Sequence, residues 1–137
     1  MRKSTEVTIY TDGGSRGNPG PAACGIVIFD TSGKLLKIHA KYLGNVTNNQ
    51  AEYEGVVTAL RIAQAMAVKK VKFYLDSELI VKQLTGIYKT KSSNITPLKT
   101  TIDKLIRNFD NVSFQHVVRE YNKFADKLVN IVLDARY

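Results

Sequence analysis

Four carboxylates stand where this chain could do chemistry. Asp12 closes the alternating stretch VTIYTD, and Asp76 closes VKFYLD. Glu52 lies in the first turn of TNNQAEYEG, four residues before Val56 and so leaning toward that segment's apolar stripe, and Asp126 lies one turn into NKFADKLVN. Two carboxylates brought together repel and raise each other's pKa, a penalty that a divalent cation removes. Oxygen-only ligands suit Mg²⁺ or Mn²⁺ rather than zinc. Each acid alone has an ordinary explanation: Asp12 as a turn residue, Asp76 as a helix cap, Glu52 and Asp126 as first-turn acids facing a helix dipole. The case for a site rests on their pointing toward one rim. Glu54 and Asp103 fall on more polar faces, Asp134 is C-terminal, and His39 and His116 are isolated in strand patterns. The sequence shows no Ser-His-Asp, Cys-His or zinc-ligand pattern.

The elements that must position these acids follow from hydrophobic period. Val7, Ile9 and Thr11 alternate with Thr8, Tyr10 and Asp12, which predicts a strand ending at Asp12. Residues 24–30 (CGIVIFD) and 35–44 (LLKIHAKYLG) predict two more, joined by the turn Thr31–Lys34 into an antiparallel meander. The period becomes helical over 47–67, where Ala51, Val56, Leu60 and Ala63 recur and Thr47, Asn48 or Asn49 can cap the start. A strand over 71–76, a short helix over 77–86 closed by Gly86, an amphipathic helix over 95–109, a strand over 112–118 and a last helix over 122–135 complete the order, with Asn122 a candidate cap. Alternation after the hairpins implies parallel pairing with helices on the faces, and ligands at the carboxyl ends of the strands.

The 137 residues suit one domain covering 1–137, able to bury a core without disulfides. Twenty Lys+Arg against twelve Asp+Glu give a formal charge of +8, which favours a polyanionic partner. The single cysteine, Cys24, sits in an apolar run and reads as a buried thiol in a reducing compartment. No stretch is long and apolar enough to span a membrane, and MRKSTEVT lacks the apolar core of a signal peptide, so a cytoplasmic monomer is expected. One segment exceeds what a turn needs: TDGGSRGNPGP sets four glycines and two prolines directly after Asp12, as if the backbone must approach something closely. It is not a P-loop, because it lacks the closing Gly-Lys-Ser/Thr.

Taken together, TDGGSRGNPGP with Asp12, TNNQAEYEG with Glu52, YLDSELIVKQL with Asp76 and REYNKFADKLVN with Asp126 resemble type 1 ribonuclease H, in order and over nearly the whole chain. The resemblance implies an α/β ribonuclease H-like fold, a five-stranded mixed sheet in order 3-2-1-4-5 flanked by helices. It implies an endonuclease that cuts the RNA strand of RNA/DNA hybrids, leaving 5′-phosphate and 3′-hydroxyl ends. Asp12, Glu52, Asp76 and Asp126 would hold two Mg²⁺ or Mn²⁺ ions, with Asp12 bridging them. Gly14, Ser15 and Asn18, with Asn48, Asn49 and Gln50, would face the minor groove and the ribose 2′-hydroxyls that distinguish RNA from DNA. Thr47, Asn49, Ser92 and Ser93 resemble a pocket for a DNA phosphate. The chain departs from many relatives in three places: Glu78 replaces a glutamine, GIYKTKSSNITPL replaces a basic handle, and VVREYNKFAD lacks a loop histidine, leaving Arg119 or Glu120 to aid turnover. The VxRExNxxAD form is typical of a branch of the family that lacks both the handle and the histidine. The departures leave RNA duplexes open as a second substrate, and a non-catalytic hybrid-binding or double-stranded-RNA-binding module as the alternative.

Overall fold

A computed structural model describes residues 5–136. Strands β1 (Glu6–Ser15), β2 (Gly20–Asp30) and β3 (Leu35–Val46) form the expected antiparallel meander. Helix α1 (Asn48–Ala65) leads into β4 (Lys70–Leu75), then α2 (Glu78–Leu84), α3 (Thr96–Ile106), β5 (Asn111–His116), a 3-10 turn (Arg119–Asn122) and α4 (Lys123–Asp134). The sheet order is β3-β2-β1-β4-β5, with β4 parallel to both β1 and β5.

The first hairpin differs from expectation. β1 does not end at Asp12 and β2 does not begin at Cys24: Gly13, Gly14 and Ser15 pair with Cys24, Ala23 and Ala22, leaving only Arg16–Pro19 as the turn. Glycines lower strand propensity, but small residues held by ladder bonds in the middle of a sheet override that preference. The turn closes through the Arg16 N–H, which donates to the Pro21 carbonyl at 2.8 Å.

Period-2 alternation sorts the central strands between two layers. Val7, Ile9, Val71 and Phe73 face α1 and α3, where they meet Tyr53, Val56, Leu60 and Ile102 in a fully buried core. Each such side chain contributes about 1.5–3 kcal/mol of burial. The opposite sheet face carries α4, which buries Val129 and Leu133 against Ala23 and Tyr42. Cys24 is fully buried, and burial pushes its thiol up to about 11, as suits an inert core residue. Among the described residues no helix is long and apolar enough to cross a membrane.

Candidate active site

The parallel register of β1 and β4 brings the first two acids together. Their last paired residues are Tyr10 and Tyr74. Asp12 and Asp76 each lie two residues further on, hence on the same face, at the carboxyl edge where the strands part. Asp76 is also free of helix capping, because Ser77 performs it: the Ile80 N–H donates to the Ser77 hydroxyl at 3.3 Å.

Glu52 arrives on α1, whose start is fixed by a capping box. The Gln50 N–H donates to Thr47 Oγ1 at 3.1 Å, and the Thr47 N–H donates to Gln50 Oε1 at 2.9 Å. This first turn rests directly on β1. A Cβ on Gly13 would lie 2.3 Å from the Ala51 carbonyl carbon and 2.4 Å from the Glu52 nitrogen, so only glycine lets Glu52 sit beside Asp12. Gly20 is equally internal, since a Cβ there would meet the Arg16 carbonyl oxygen at 2.2 Å. Half of the glycine run that looked built for an outside partner therefore serves close packing within the protein.

Asp126 is brought in from the opposite layer. Gly25, the ladder partner of Asp12, lets α4 approach: a Cβ at Gly25 would fall 2.5 Å from the Ala125 carbonyl oxygen. Asn122, almost fully buried, donates from Nδ2 to the Thr11 carbonyl at 2.9 Å. It stands at the N-cap position of α4 without capping it, contrary to the sequence expectation, because its amide is committed to β1 next to Asp12. Sequence patterns did not single out Gly25 or Asn122 as positioning residues. A glycine inside an apolar strand was the available signal for the first.

The result is a cleft of about 190 Å³ that holds all four acids. Carboxylate oxygens of Asp12, Glu52 and Asp76 lie within 4.8 Å of one another. Asp126 is less buried and shares a side-chain hydrogen bond with Asp12. Burial, then the Asp76 charge, then Asp126 push Asp12 up to about 9. Burial and Asp76 push Glu52 up to about 8, opposed by a hydrogen bond from Ser77 and the Arg119 charge. Two buried acids raised by their neighbours' charge are what a divalent cation would relieve. Arg119 lines the cleft, whereas Glu120 is exposed outside it.

The other residues singled out from sequence divide between two hollows. Gly14, Ser15 and Asn48 border the acids, and the Ser15 N–H donates to Asn48 Oδ1 at 3.1 Å. The Asn48 N–H in turn donates to Asn18 Oδ1 at 2.9 Å, locking the hairpin turn to α1. Asn18, Thr47, Asn49 and Ser92 line a neighbouring hollow of about 260 Å³, with Lys91 and Asn94. Ser93 is exposed and is not among the residues lining it, and the Gln50 side chain is taken up in the capping box. Glu78 points to neither hollow and pairs with Lys82 at 3.7 Å. His116 is exposed at the end of β5 and does not line the acid cleft.

Comparison with known proteins finds relatives that match nearly the whole chain. The family model described as "Reverse transcriptase-like" matches residues 10–132. Ribonuclease HI of Halobacterium salinarum is 39% identical over 128 residues, 93% of this chain. The chain spans 64% of that relative's length and 36% of its mycobacterial relatives. A crystal structure of RNase H1 from the same archaeon superimposes with a TM-score of 0.92 at 38% identity, covering 95% of this chain and 98% of that one. LC11-RNase H1 in complex with an RNA/DNA hybrid gives a TM-score of 0.91 at 41% identity, covering 95% of this chain and 98% of that one.

Proposed function

The chain belongs to the reverse-transcriptase-like family as a type 1 ribonuclease H domain, and on that premise we propose that it is a metal-dependent endonuclease that hydrolyses the RNA strand of RNA/DNA hybrids. The observation that carries the reading is the convergence of Asp12, Glu52 and Asp76 oxygens within 4.8 Å, with Asp126 beside them. The binding of a hybrid by LC11-RNase H1 supports the choice of substrate.

The donor set fits divalent metal. It is all oxygen, with Asp12 and Glu52 buried and Asp76 and Asp126 half-buried, and its charges oppose one another without a cation. Asp12, Glu52, Asp76 and Asp126 would together hold two Mg²⁺ or Mn²⁺ ions. Bound there, the ions supply an activated water for attack at phosphorus and charge stabilisation for the departing 3′ oxygen, giving 5′-phosphate and 3′-hydroxyl ends.

The remaining groups bind and orient. Gly14 and Ser15, braced by Asn48 and Asn18, present backbone beside the acids where ribose 2′-hydroxyls would lie. Thr47, Asn49, Ser92 and Lys91 surround a hollow suited to one phosphate of the DNA strand. Arg119, at the rim of the acids, is placed to assist turnover. The protein works in this reading as a cytoplasmic monomer.

The test is an end-labelled RNA paired to DNA, paired to RNA or left single, incubated with Mg²⁺, Mn²⁺ or EDTA. Metal-dependent cutting of the hybrid is expected. Cutting of the RNA duplex as well would mean that the second strand's ribose is not discriminated. Hybrid binding with no cutting under either metal would replace the nuclease by a binding module.

A further inference from the structure

The sheet face that carries Asp12 and Asp76 is only half covered. Helix α4 packs over β2, β1 and β3. On the β4–β5 half, Lys70, Lys72, Ser113 and Gln115 are exposed, and register sets Lys72 beside Ser113 and Tyr74 beside Gln115. Tyr10 and Tyr74 stack at 5.2 Å between centroids, and Phe29 meets Tyr10 edge-on at 5.9 Å. Across from them, Tyr121 in the 3-10 turn is 72% exposed and Phe124 at the start of α4 is 44% exposed. Between the two groups lies a hollow of about 540 Å³, larger than the acid cleft and distinct from it.

The metal chemistry uses none of these side chains, and two aromatic residues open to water at one rim call for an occupant. Its chemistry can be read from three features. The walls offer ring faces, which stack on planar groups. The floor carries Lys72, only loosely held by Glu6 at 3.9 Å, and Asp30 stands at the far rim by the β2–β3 turn. The site also lies next to the acids: Asp76 follows two residues after Tyr74, and Ala125, which lines the hollow, immediately precedes Asp126. Stacking rings beside a lysine on a polar sheet face form a pattern that holds unpaired bases and their phosphates.

Resting on the hybrid-nuclease reading, we propose that this hollow binds a single-stranded extension of the RNA strand where that strand runs past the acids. A paired duplex is too wide for a hollow of this size, whereas about 540 Å³ lined by Tyr74 and Tyr121 has room for one or two unpaired bases. The protein would thereby favour hybrids next to a single-stranded junction over uninterrupted ones.

The test is equilibrium binding by fluorescence anisotropy in EDTA, where nothing is cut. The probes are a blunt RNA/DNA hybrid, the same hybrid with eight uridines added to one or the other end of its RNA strand, and free octauridine. The variant is Tyr121→Ala combined with Lys72→Gln, both at exposed positions so that the fold is kept. An extension at one RNA end is expected to tighten binding about tenfold, the gain of one stacked base, with the gain lost in the variant and blunt binding unchanged. Blunt binding without any gain, or a gain the variant keeps, would overturn the proposal and leave the hybrid reading intact. Octauridine bound by the parent but not by the variant, with the blunt hybrid unbound, would support the hollow and refute the hybrid reading. Failure of every probe to bind would overturn both.

Discussion

Replacing Asp76 by asparagine should make the metal-free protein more stable. Asp12 is raised from 3.8 to about 9 by burial first and by the Asp76 charge second. At pH 7 the folded chain keeps a proton that the unfolded chain has released, a cost on the order of 4 kcal/mol against an unperturbed carboxyl. Glu52, raised to about 8, shares part of the same cause. Because the folded values are raised, this stability is present at low pH and is lost as pH rises from about 4 toward 9. Asp76→Asn removes the largest charge acting on both groups, so it should recover about 1–2 kcal/mol at pH 7–8, a rise in Tm of roughly 3–10 °C. Thermal unfolding in EDTA at about pH 4.5 and pH 8 measures this. The parent should lose stability between the two values, the variant should lose less, and Mg²⁺ at pH 8 should raise the parent's Tm more than the variant's. A variant no more stable than the parent at pH 8 in EDTA would refute the claim that these carboxylates oppose one another in the folded chain.

Three further perturbations test how the acids are positioned. Gly25→Ala would put a Cβ 2.5 Å from the Ala125 carbonyl oxygen, forcing α4 and Asp126 outward by about 1 Å; hybrid cleavage should fall about 100-fold while urea unfolding shows a loss of about 1–3 kcal/mol. Asn122→Ala, which orphans the buried Thr11 carbonyl, should cost about 1–3 kcal/mol in the same unfolding assay and raise the Mg²⁺ needed for half-maximal cutting. Arg119→Ala removes a charge that lowers Glu52, so the rise of cleavage rate with pH should move to higher pH, as a rate profile would show.

The fold was legible in the sequence because its signals are periodic and local. The order of elements, the β4 alternation of Val71, Phe73 and Leu75 against Lys72, Tyr74 and Asp76, and the apolar stripe of α1 all stand in the structure as read. The carboxylates were legible because strand ends converge once two strands run parallel. The supports were not. Gly13 and Gly25 matter for helices that pack onto them from 38 or 100 residues away in the chain, a relation that no local window contains. Asn122 resembled a helix cap by position, and its tertiary bond to Thr11 could not be read from its neighbours. The hairpin boundary was misplaced because glycine disfavours a strand locally, whereas ladder bonds on β2 decide the matter.

The central claim is that Asp12, Glu52, Asp76 and Asp126 form a metal site that cuts RNA in a hybrid. The most direct measurement is the initial rate of hybrid cleavage against Mg²⁺ concentration for the parent and for Asp76→Asn, on one substrate that both bind. The account predicts no cutting in EDTA, a rate that rises with Mg²⁺ for the parent, and a variant at least ~100-fold slower at every concentration despite its more stable fold. A parent that cuts in EDTA, or a variant that cuts at the parent's rate, would contradict it.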